Sequence, residues 1–347
     1  MISKEISSKV KTLNLIMTIG MIFYHCGDPG FLKPVNELDL ALNNFINEST
    51  QKIGLMVMSF FFLISGFFTY SNIQGKLSMK EYCSKIKRRV FSCLVPYIIW
   101  NILFIFLPFQ KEITFFEFIE STFLFKQFPM DEPSWYLYSI FFCALISPIF
   151  WIAFNNKYGG GVLLFFCLIN KVFMNSSNEM IYNITHYGYI YNTLFFFPAY
   201  MVGLYWGVKY SQKKMKGLFF ELCNILLVSL FYDYKLFEEM GIVILLIVFI
   251  YFMPKINNNK NRLGRIANIS FLLYTMHMYI IGKIQRPVRV HLLLKIIPYA
   301  WTANIVARFI IIPIVIVVAY LTWVVISLVS PKVIRILTGG RCIPYER

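Results

Sequence analysis

Two of the four histidines lie in apolar stretches of the sequence, and their side chains could do chemistry there. His25 falls near the end of the apolar stretch 13–26, and His277 falls in the apolar stretch 266–282. An ionisable side chain is costly within a hydrocarbon layer, so its presence there indicates a function. Imidazole also gains and loses a proton near neutral pH. We therefore predict that His25 and His277 are catalytic, with helix packing as the alternative role for a neutral histidine.

Asn14 is a further polar residue of the first apolar stretch. It precedes His25 by eleven residues, which on a helix places the two side chains about 20° apart around the axis and about 16 Å apart along it. We therefore expect the Asn14 side chain to face the same channel as His25, nearer the cytoplasmic side. Polar groups arranged in this way suit a reaction that joins the two sides of a membrane.

A basic cluster precedes the third apolar stretch, in the run KIKRRVFSCLVPYIIW at 85–100. Lys87, Arg88 and Arg89 are candidates for binding a phosphorylated cytosolic donor, because guanidinium groups pair well with pyrophosphate. The alternative is that they only anchor the chain at the membrane surface. In FFFLISGFF at 60–68, Ser65 and Gly66 indicate close helix packing rather than a nucleophile.

The composition indicates that membrane helices position these residues. Of 347 residues, 58% are hydrophobic and only 14% are charged, whereas soluble domains carry about 25% charged residues. This excludes a soluble enzyme with a polar surface, and it excludes disorder. The net charge of +16 is carried largely by short loops, which is typical of a membrane protein and not of a nucleic-acid-binding face. Seven cysteines without a CxxC pair predict neither a disulfide framework nor a metal site.

Ten apolar segments free of Asp, Glu, Lys and Arg predict an all-α bundle of about ten transmembrane helices in a single domain, 1–347. A helix needs about 20 residues to cross the hydrocarbon core, so the fifth and seventh segments must borrow flanking residues. The segments are 13–26, 53–70, 90–109, 134–154, 161–170, 190–208, 222–232, 240–254, 266–282 and 309–330.

The loop charges predict that the N-terminus and the C-terminus are both cytoplasmic. With ten alternating spans, the cytoplasmic segments hold 22 Lys and Arg against four acids, as the positive-inside bias requires. Both His25 and His277 then lie toward the outer face. The connection between the last two spans carries the basic residues Lys283, Arg286, Arg289, Lys295 and Arg308 although it should lie outside. We expect these side chains to extend to lipid headgroups, or alternatively to contact an anionic substrate.

Six motifs in this order resemble the membrane acyltransferases of acyltransferase family 3, over most of the chain. They are NLIMTIGMIFYH (14–25), FFFLISGFF (60–68), KRRVFSCLVPYIIW (87–100), PSWYLYSIFFCALISP (133–148), FFFPAYMVGLYWG (195–207) and ISFLLYTMH (269–277). The resemblance implies an integral enzyme of the cytoplasmic membrane that moves an acyl group, commonly acetyl, from cytosolic acyl-coenzyme A to a hydroxyl. The acceptor would be an extracytoplasmic glycan or a lipid-linked sugar, and no cofactor would be bound permanently.

The family histidines of the first and ninth spans correspond to His25 and His277, and the family arginine before the third span corresponds to Arg89. Acyl-coenzyme A would dock at Lys87, Arg88 and Arg89, and Asn14 is a further candidate for contact with this donor. Trp135 and Tyr136 could stack on a sugar ring, although anchoring at the membrane interface is an alternative role.

The sequence departs from the family pattern in two places. Asn14 stands where members usually carry arginine, and Tyr138 and Ser139 stand where relatives often carry Arg-Asp. Both changes remove charge from the expected donor path. Two other functions therefore stay open: export or flipping of a polysaccharide precursor, and a catalytically inactive relative that organises a glycan-assembly complex.

Overall fold

The computed structural model describes residues 4–73, 75, 77–106, 114–124, 126–232, 234–252 and 267–344. Within these ranges all regular elements are helical, so the all-α prediction is confirmed there. The predicted cytoplasmic segment 255–265 lies outside the described residues. The helices are α1 Lys4–His25, α2 Glu37–Tyr70, α3 Met79–Ile105, α4 Phe115–Phe123, α5 Trp135–Phe154, α6 Gly159–Met174, α7 Glu179–Thr185, α8 Ile190–Ser211, α9 Met215–Tyr232, α10 Tyr234–Phe252, α11 Ser270–Arg286, α12 Ala300–Val329 and α13 Pro331–Leu337.

Five helical segments among the described residues are long and apolar enough to cross a membrane. Together with the composition they indicate an integral membrane protein. The ten predicted segments all fall on helices where the structure describes them, and the fifth and seventh are extended by flanking residues as expected. The count of ten spans and the orientation of the termini stay predictions. The five candidate spans are Ile6–His25, Glu37–Tyr70, Met79–Ile105, Glu132–Phe154 and Ala300–Val329.

Helix α2 begins much earlier than the apolar segment 53–70, because its first turn is capped. The Asn36 side chain accepts the backbone N–H of Asp39 at 2.8 Å, which satisfies one of the unpaired donors of the first turn. The 34 residues of α2 extend for about 51 Å, whereas the hydrocarbon core is about 30 Å thick. The helix therefore extends 16 residues beyond the start of the predicted apolar segment 53–70.

Helix α12 likewise begins at Ala300 instead of the predicted residue 309. The carboxylate of Asp39 accepts the backbone N–H groups of Ala300 and Trp301, each at 3.0 Å. A negative charge is favourable at this end of a helix, where four N–H groups lack helical acceptors. Arg308 therefore lies within the last long helix, and the prediction that it belongs to the connection before that helix is wrong.

By its internal contacts the chain divides into two compact units. The first comprises 1–10 and 58–255, and the second comprises 11–57 and 256–347. Two of the three divisions fall within α1 and α2, and the third lies outside the described residues. One domain over 1–347 stays a prediction.

In the first unit, α2 and α8 pack so closely that only glycine fits at several positions. A Cβ atom at Gly207 would lie 2.6 Å from a backbone carbonyl oxygen of α2, and a Cβ at Gly203 would overlap the carbonyl of Leu63. Conversely, a Cβ at Gly66 would overlap the carbonyl of Tyr200 on α8. Small residues allow this approach in membrane helices. The prediction of close packing at Gly66 is confirmed.

Helix α3 contains a π-helical turn, Val90–Leu94, in which the N–H of Val95 bonds the carbonyl of Val90. Pro96 comes directly after Val95 and has no N–H to donate. Its missing hydrogen bond falls where the π-helical turn already interrupts the α-helical bonding pattern. The π-helical turn begins immediately after Arg89. It therefore separates the basic first part of α3 from its apolar second part.

In the second unit, the C-terminal tail fixes the segment that precedes α11. The Asn268 side chain accepts the N–H of Ile343 at 2.9 Å and donates to its carbonyl at 2.8 Å. The Trp323 indole donates to the same carbonyl at 3.0 Å. These bonds attach the start of α11 to α12 and the tail, and α11 carries His277.

Candidate active site

The imidazoles of His25 and His277 are adjacent in the second unit. His25 is the last residue of α1, His277 lies in the middle of α11, and their ring centres are 5.1 Å apart at an interplanar angle of 50°. His277 is fully buried, whereas His25 is partly exposed. The two histidines singled out in the sequence therefore come together, although they are 252 positions apart.

The surroundings of His277 determine which of its ring nitrogens can accept a proton. Its Nδ1 lies 2.6 Å from the carbonyl oxygen of Tyr274, one turn earlier in α11. A carbonyl only accepts, so Nδ1 carries the hydrogen and Nε2 carries the lone pair. Nε2 is buried and has no hydrogen-bond partner among the residues that the structure describes. It is therefore available to a proton from a neighbouring group, and the His25 imidazole is adjacent.

Two buried arginines, Arg289 and Arg308, contact the end of α1, where His25 is the last residue. Arg308 donates through Nη1 to the carbonyl of Phe23 at 2.7 Å, and Arg289 donates through Nη2 to the carbonyl of Cys26. Neither side chain is exposed. The prediction that Arg289 and Arg308 extend to lipid headgroups is wrong. The last carbonyls of a helix lack helical donors and attract cations. Here each guanidinium group reaches one of these carbonyls.

A ladder of polar side chains joins the first turns of α2 and α12. Above the contact of Asp39 with the start of α12, the Asn304 amide donates to Asn43 at 2.8 Å and to Asn47 at 3.1 Å. Arg308 then donates to Asn304 and to Asn47, each at 3.3 Å. Sequence reasoning missed these residues. The spacing of Asp39, Asn43 and Asn47 at four-residue intervals was a usable signal, since such residues share one helix face.

Asn14 lies on α1 eleven residues before His25, as the sequence requires, and it is half-buried. Its carbonyl accepts the hydroxyl of Thr18 at 2.7 Å. His186 stacks on Tyr182 with ring centres 4.0 Å apart, and His291 is exposed.

A cavity of about 210 Å³ in the first unit is bordered by the basic part of α3. Arg88 and Arg89 line it as the sequence predicts, whereas Lys87 does not line it and is exposed. Lys85 takes the place expected for Lys87, because residues three and four apart share one face of a helix. The polar residues that line the cavity are Lys85, Arg88, Arg89, Thr69, Tyr70, Asn72, Tyr82, Ser92 and Ser147.

Arg89 is held firmly at the wall of this cavity. Its Nη2 donates to the carbonyl of Ser65 at 2.8 Å and to the Thr69 hydroxyl at 3.2 Å. The hydroxyl of Thr69 lies 3.3 Å from that of Tyr200 on α8. The close approach of α2 and α8 thus supports the groups that orient Arg89.

Trp135 and Tyr136 lie in an aromatic cluster at the start of α5. The ring centre of Trp135 is 6.1 Å from that of Phe62, and the Tyr136 hydroxyl lies 2.7 Å from Ser65 Oγ. The same hydroxyl donates to the carbonyl of Phe61 at 2.8 Å. Both side chains are half-buried, so they join the packing of α2 while part of each ring remains accessible.

The two residues at the position of the family's Arg-Asp pair have neutral partners. The Tyr138 hydroxyl donates to the carbonyl of Phe123 at 3.0 Å, and its ring stacks on Tyr97 with centres 4.9 Å apart. The Ser139 hydroxyl lies 2.6 Å from that of Thr193. Both residues are buried. The neutral pair is therefore satisfied without a compensating charge among these contacts.

A model of one acyltransferase domain family matches residues 12–324, which is nearly the whole chain. No curated protein and no solved structure matches it. The matched range includes both histidines, the basic part of α3 and the buried arginines of the second unit. By this match the chain belongs to acyltransferase family 3, whose members are membrane acyltransferases.

Proposed function

We propose that this protein is an O-acyltransferase that moves an acyl group, acetyl by the family resemblance, from cytosolic acyl-coenzyme A to a hydroxyl. The acceptor is an extracytoplasmic glycan or a lipid-linked sugar, and the enzyme works in the cytoplasmic membrane. The pairing of His25 with His277 is the observation that carries this proposal. An imidazole can be neutral or protonated near neutral pH. Two imidazoles whose ring centres are 5.1 Å apart are therefore suited to take a proton from a hydroxyl and hold it during the transfer.

His25 acts as the general base because it is the partly exposed member of the pair. It takes the proton of the acceptor hydroxyl while the oxygen attacks the thioester carbonyl. The new carbon–oxygen bond forms, the carbon–sulfur bond breaks, and the thiolate of coenzyme A leaves and regains the proton. His277 shares that proton through its lone pair on Nε2, and the bond from Nδ1 to Tyr274 keeps its ring in place.

The donor binds through its phosphates at the cavity bordered by α3. Arg88, Arg89 and Lys85 supply three positive charges there, and guanidinium groups bind phosphate oxygens with directed hydrogen bonds. Trp135 and Tyr136 are the candidate stacking groups for a sugar ring, since part of each remains exposed. Substitutions of the donor-binding residues and of the stacking residues test the two roles separately.

The test is turnover by the purified protein in lipid vesicles. Acetyl-coenzyme A is supplied with a glycan acceptor, and the free thiol released is measured. His25→Ala should lower turnover by about 10²–10⁴-fold, which is the usual contribution of a general base. His291→Ala is the matched control, because His291 is exposed and lies in the same unit. Full turnover by His25→Ala would show that the base is wrongly assigned.

An inactive relative that organises a glycan-assembly complex is the second candidate, and the neutral contacts of Tyr138 and Ser139 favour it. A glycan profile of a deletion strain separates the candidates. Loss of acetyl groups from an otherwise normal glycan supports the transferase. Less glycan, with the remaining glycan acetylated as before, supports the inactive relative. Accumulation of glycan inside the cell supports export.

A further inference from the structure

The last turn of α1 needs hydrogen-bond donors from outside the helix. The carbonyls of Ile22 and Tyr24 accept N–H groups of the chain that follows, from Cys26 at 2.9 Å and Gly27 at 3.1 Å. The carbonyls of Phe23 and Cys26, on either side of His25, accept arginine side chains instead. The backbone that carries His25 is thus bonded at both sides by groups far away in the sequence.

Arg308 is fixed at all three of its side-chain nitrogens. Besides the bond to Phe23, Nε donates to Asn304 and Nη2 donates to Asn47, each at 3.3 Å. Its guanidinium carbon also lies 4.9 Å from the centre of the Phe23 ring, which is a favourable cation–π distance. Arg308 therefore links the end of α1 to α2 and α12.

Arg289 is held by the turn that follows α1. Its Nε lies 3.7 Å from the carboxylate of Asp28, and that carboxylate accepts the N–H groups of Phe31 at 3.0 Å and Leu32 at 3.1 Å. The carboxylate is therefore held in place by the backbone that follows α1. Arg289 joins this turn to the segment after α11, the helix that carries His277.

We propose that Arg308 and Arg289 are positioning residues that hold the His25 imidazole against that of His277. This rests on the proposed function in so far as the pair is catalytic. Two buried cations at the negative end of α1 stabilise its last turn, and they do so with directed bonds to the carbonyls on both sides of His25. Each arginine comes from an element packed beside α11, so the two bonds set the distance between the imidazoles.

The experiment compares Arg308→Met and Arg308→Lys with the unaltered protein in lipid vesicles. The matched control is Arg335→Met, since Arg335 is an exposed arginine of the same unit. Hydrogen exchange is measured at the amides of Cys26 and Gly27, and carbethoxylation of His25 is measured by mass spectrometry. Turnover is measured as kcat and as KM for acetyl-coenzyme A.

Arg308→Met should raise the exchange rate at both amides by about 10- to 100-fold, which corresponds to the loss of one charge-assisted hydrogen bond. His25 should react faster, and kcat should fall while KM for acetyl-coenzyme A stays unchanged. Arg308→Lys should recover part of the exchange protection and part of kcat, because an ammonium group can still donate to the Phe23 carbonyl.

Unchanged exchange and unchanged His25 reactivity in Arg308→Met would overturn the proposal, and so would an equal loss of kcat in Arg335→Met. If Arg308→Met does not fold, Arg289→Lys replaces it, with the same expected changes at smaller size. If the unaltered protein shows no turnover while exchange rises in Arg308→Met, the positioning role stands and the proposed function fails.

Discussion

Replacing Gly203 with alanine tests the helix contact that supports Arg89. A Cβ at this position would lie 2.7 Å from the carbonyl carbon of Leu63 and 3.0 Å from its Cα, with the carbonyl oxygen nearer than either. Ordinary contact begins at 3.4 Å, so α2 and α8 would have to separate locally by about 0.7 Å or more. A backbone carbonyl cannot rotate away as a side chain can. The two helices must therefore shift as a whole.

Two effects of opposite sign decide the stability of Gly203→Ala. Alanine is favoured over glycine in a helix by about 1 kcal/mol. Overpacking costs about 1–3 kcal/mol, and we expect the upper end because the clash is with backbone. The net loss is then about 2 kcal/mol of unfolding free energy, or a Tm lower by roughly 4 °C or more. Propensity alone predicts a more stable protein, so the sign itself tests the structure.

The assay is thermal unfolding in detergent micelles, followed by tryptophan fluorescence. Gly241→Ala is the matched control, since Gly241 is inside α10 of the same unit and, of the described atoms, its Cβ would meet only Leu226 Cδ1, at 3.9 Å. That control should unfold at the same temperature or a few degrees higher. A Gly203→Ala protein that is as stable as Gly241→Ala would refute the close contact of α2 and α8.

Three further predictions concern individual side chains. His277→Asn should keep a donor for the Tyr274 carbonyl but lose the Nε2 lone pair, so kcat should fall by about 10²-fold or more with an unchanged Tm. Arg89→Gln should raise KM for acetyl-coenzyme A, whereas Lys87→Gln should leave it unchanged, because Arg89 lines the cavity and Lys87 does not; equal effects in steady-state kinetics would contradict this. Burial raises the pKa of the Asp131 carboxyl well above its ordinary value of 3.8, and neither carboxyl oxygen has a hydrogen-bond partner in the part of the chain that the structure describes. Stability is then lost as pH rises above 3.8, so Asp131→Asn should raise Tm at about pH 7 and have little effect at about pH 3.

The helices and the catalytic candidates could be predicted because their signals are local. An apolar run free of charge is sufficient to indicate a membrane helix, and a histidine inside such a run stands out without any knowledge of its neighbours. Gly66 is similar, since a small residue within an aromatic run indicates close packing. The predicted starts of α2 and α12 were wrong because caps determine them. The Asn36 cap is polar and outside the apolar run, and the cap of α12 is Asp39, which is far away in sequence.

Lys87 and Lys85 show how far a cluster of charges can be resolved from sequence. The run predicts a basic site at the start of α3, and the structure has one. Which lysine lines the cavity depends on the face of α3 that α2 and α5 leave open, and this is a matter of packing. The three positive charges at the cavity are therefore Lys85, Arg88 and Arg89.

The sequence by itself determined that this protein is helical, embedded in a membrane and equipped with two histidines in apolar surroundings, because each of these follows from residues close together in the chain. Only the tertiary structure decided that the two imidazoles meet and that Arg289 and Arg308 are buried against the end of α1, the helix that carries His25. A guanidinium group near a membrane surface can bond headgroups or backbone carbonyls. The choice depends on which acceptor lies within about 3 Å, and here the end of α1, more than 260 residues away, supplies it.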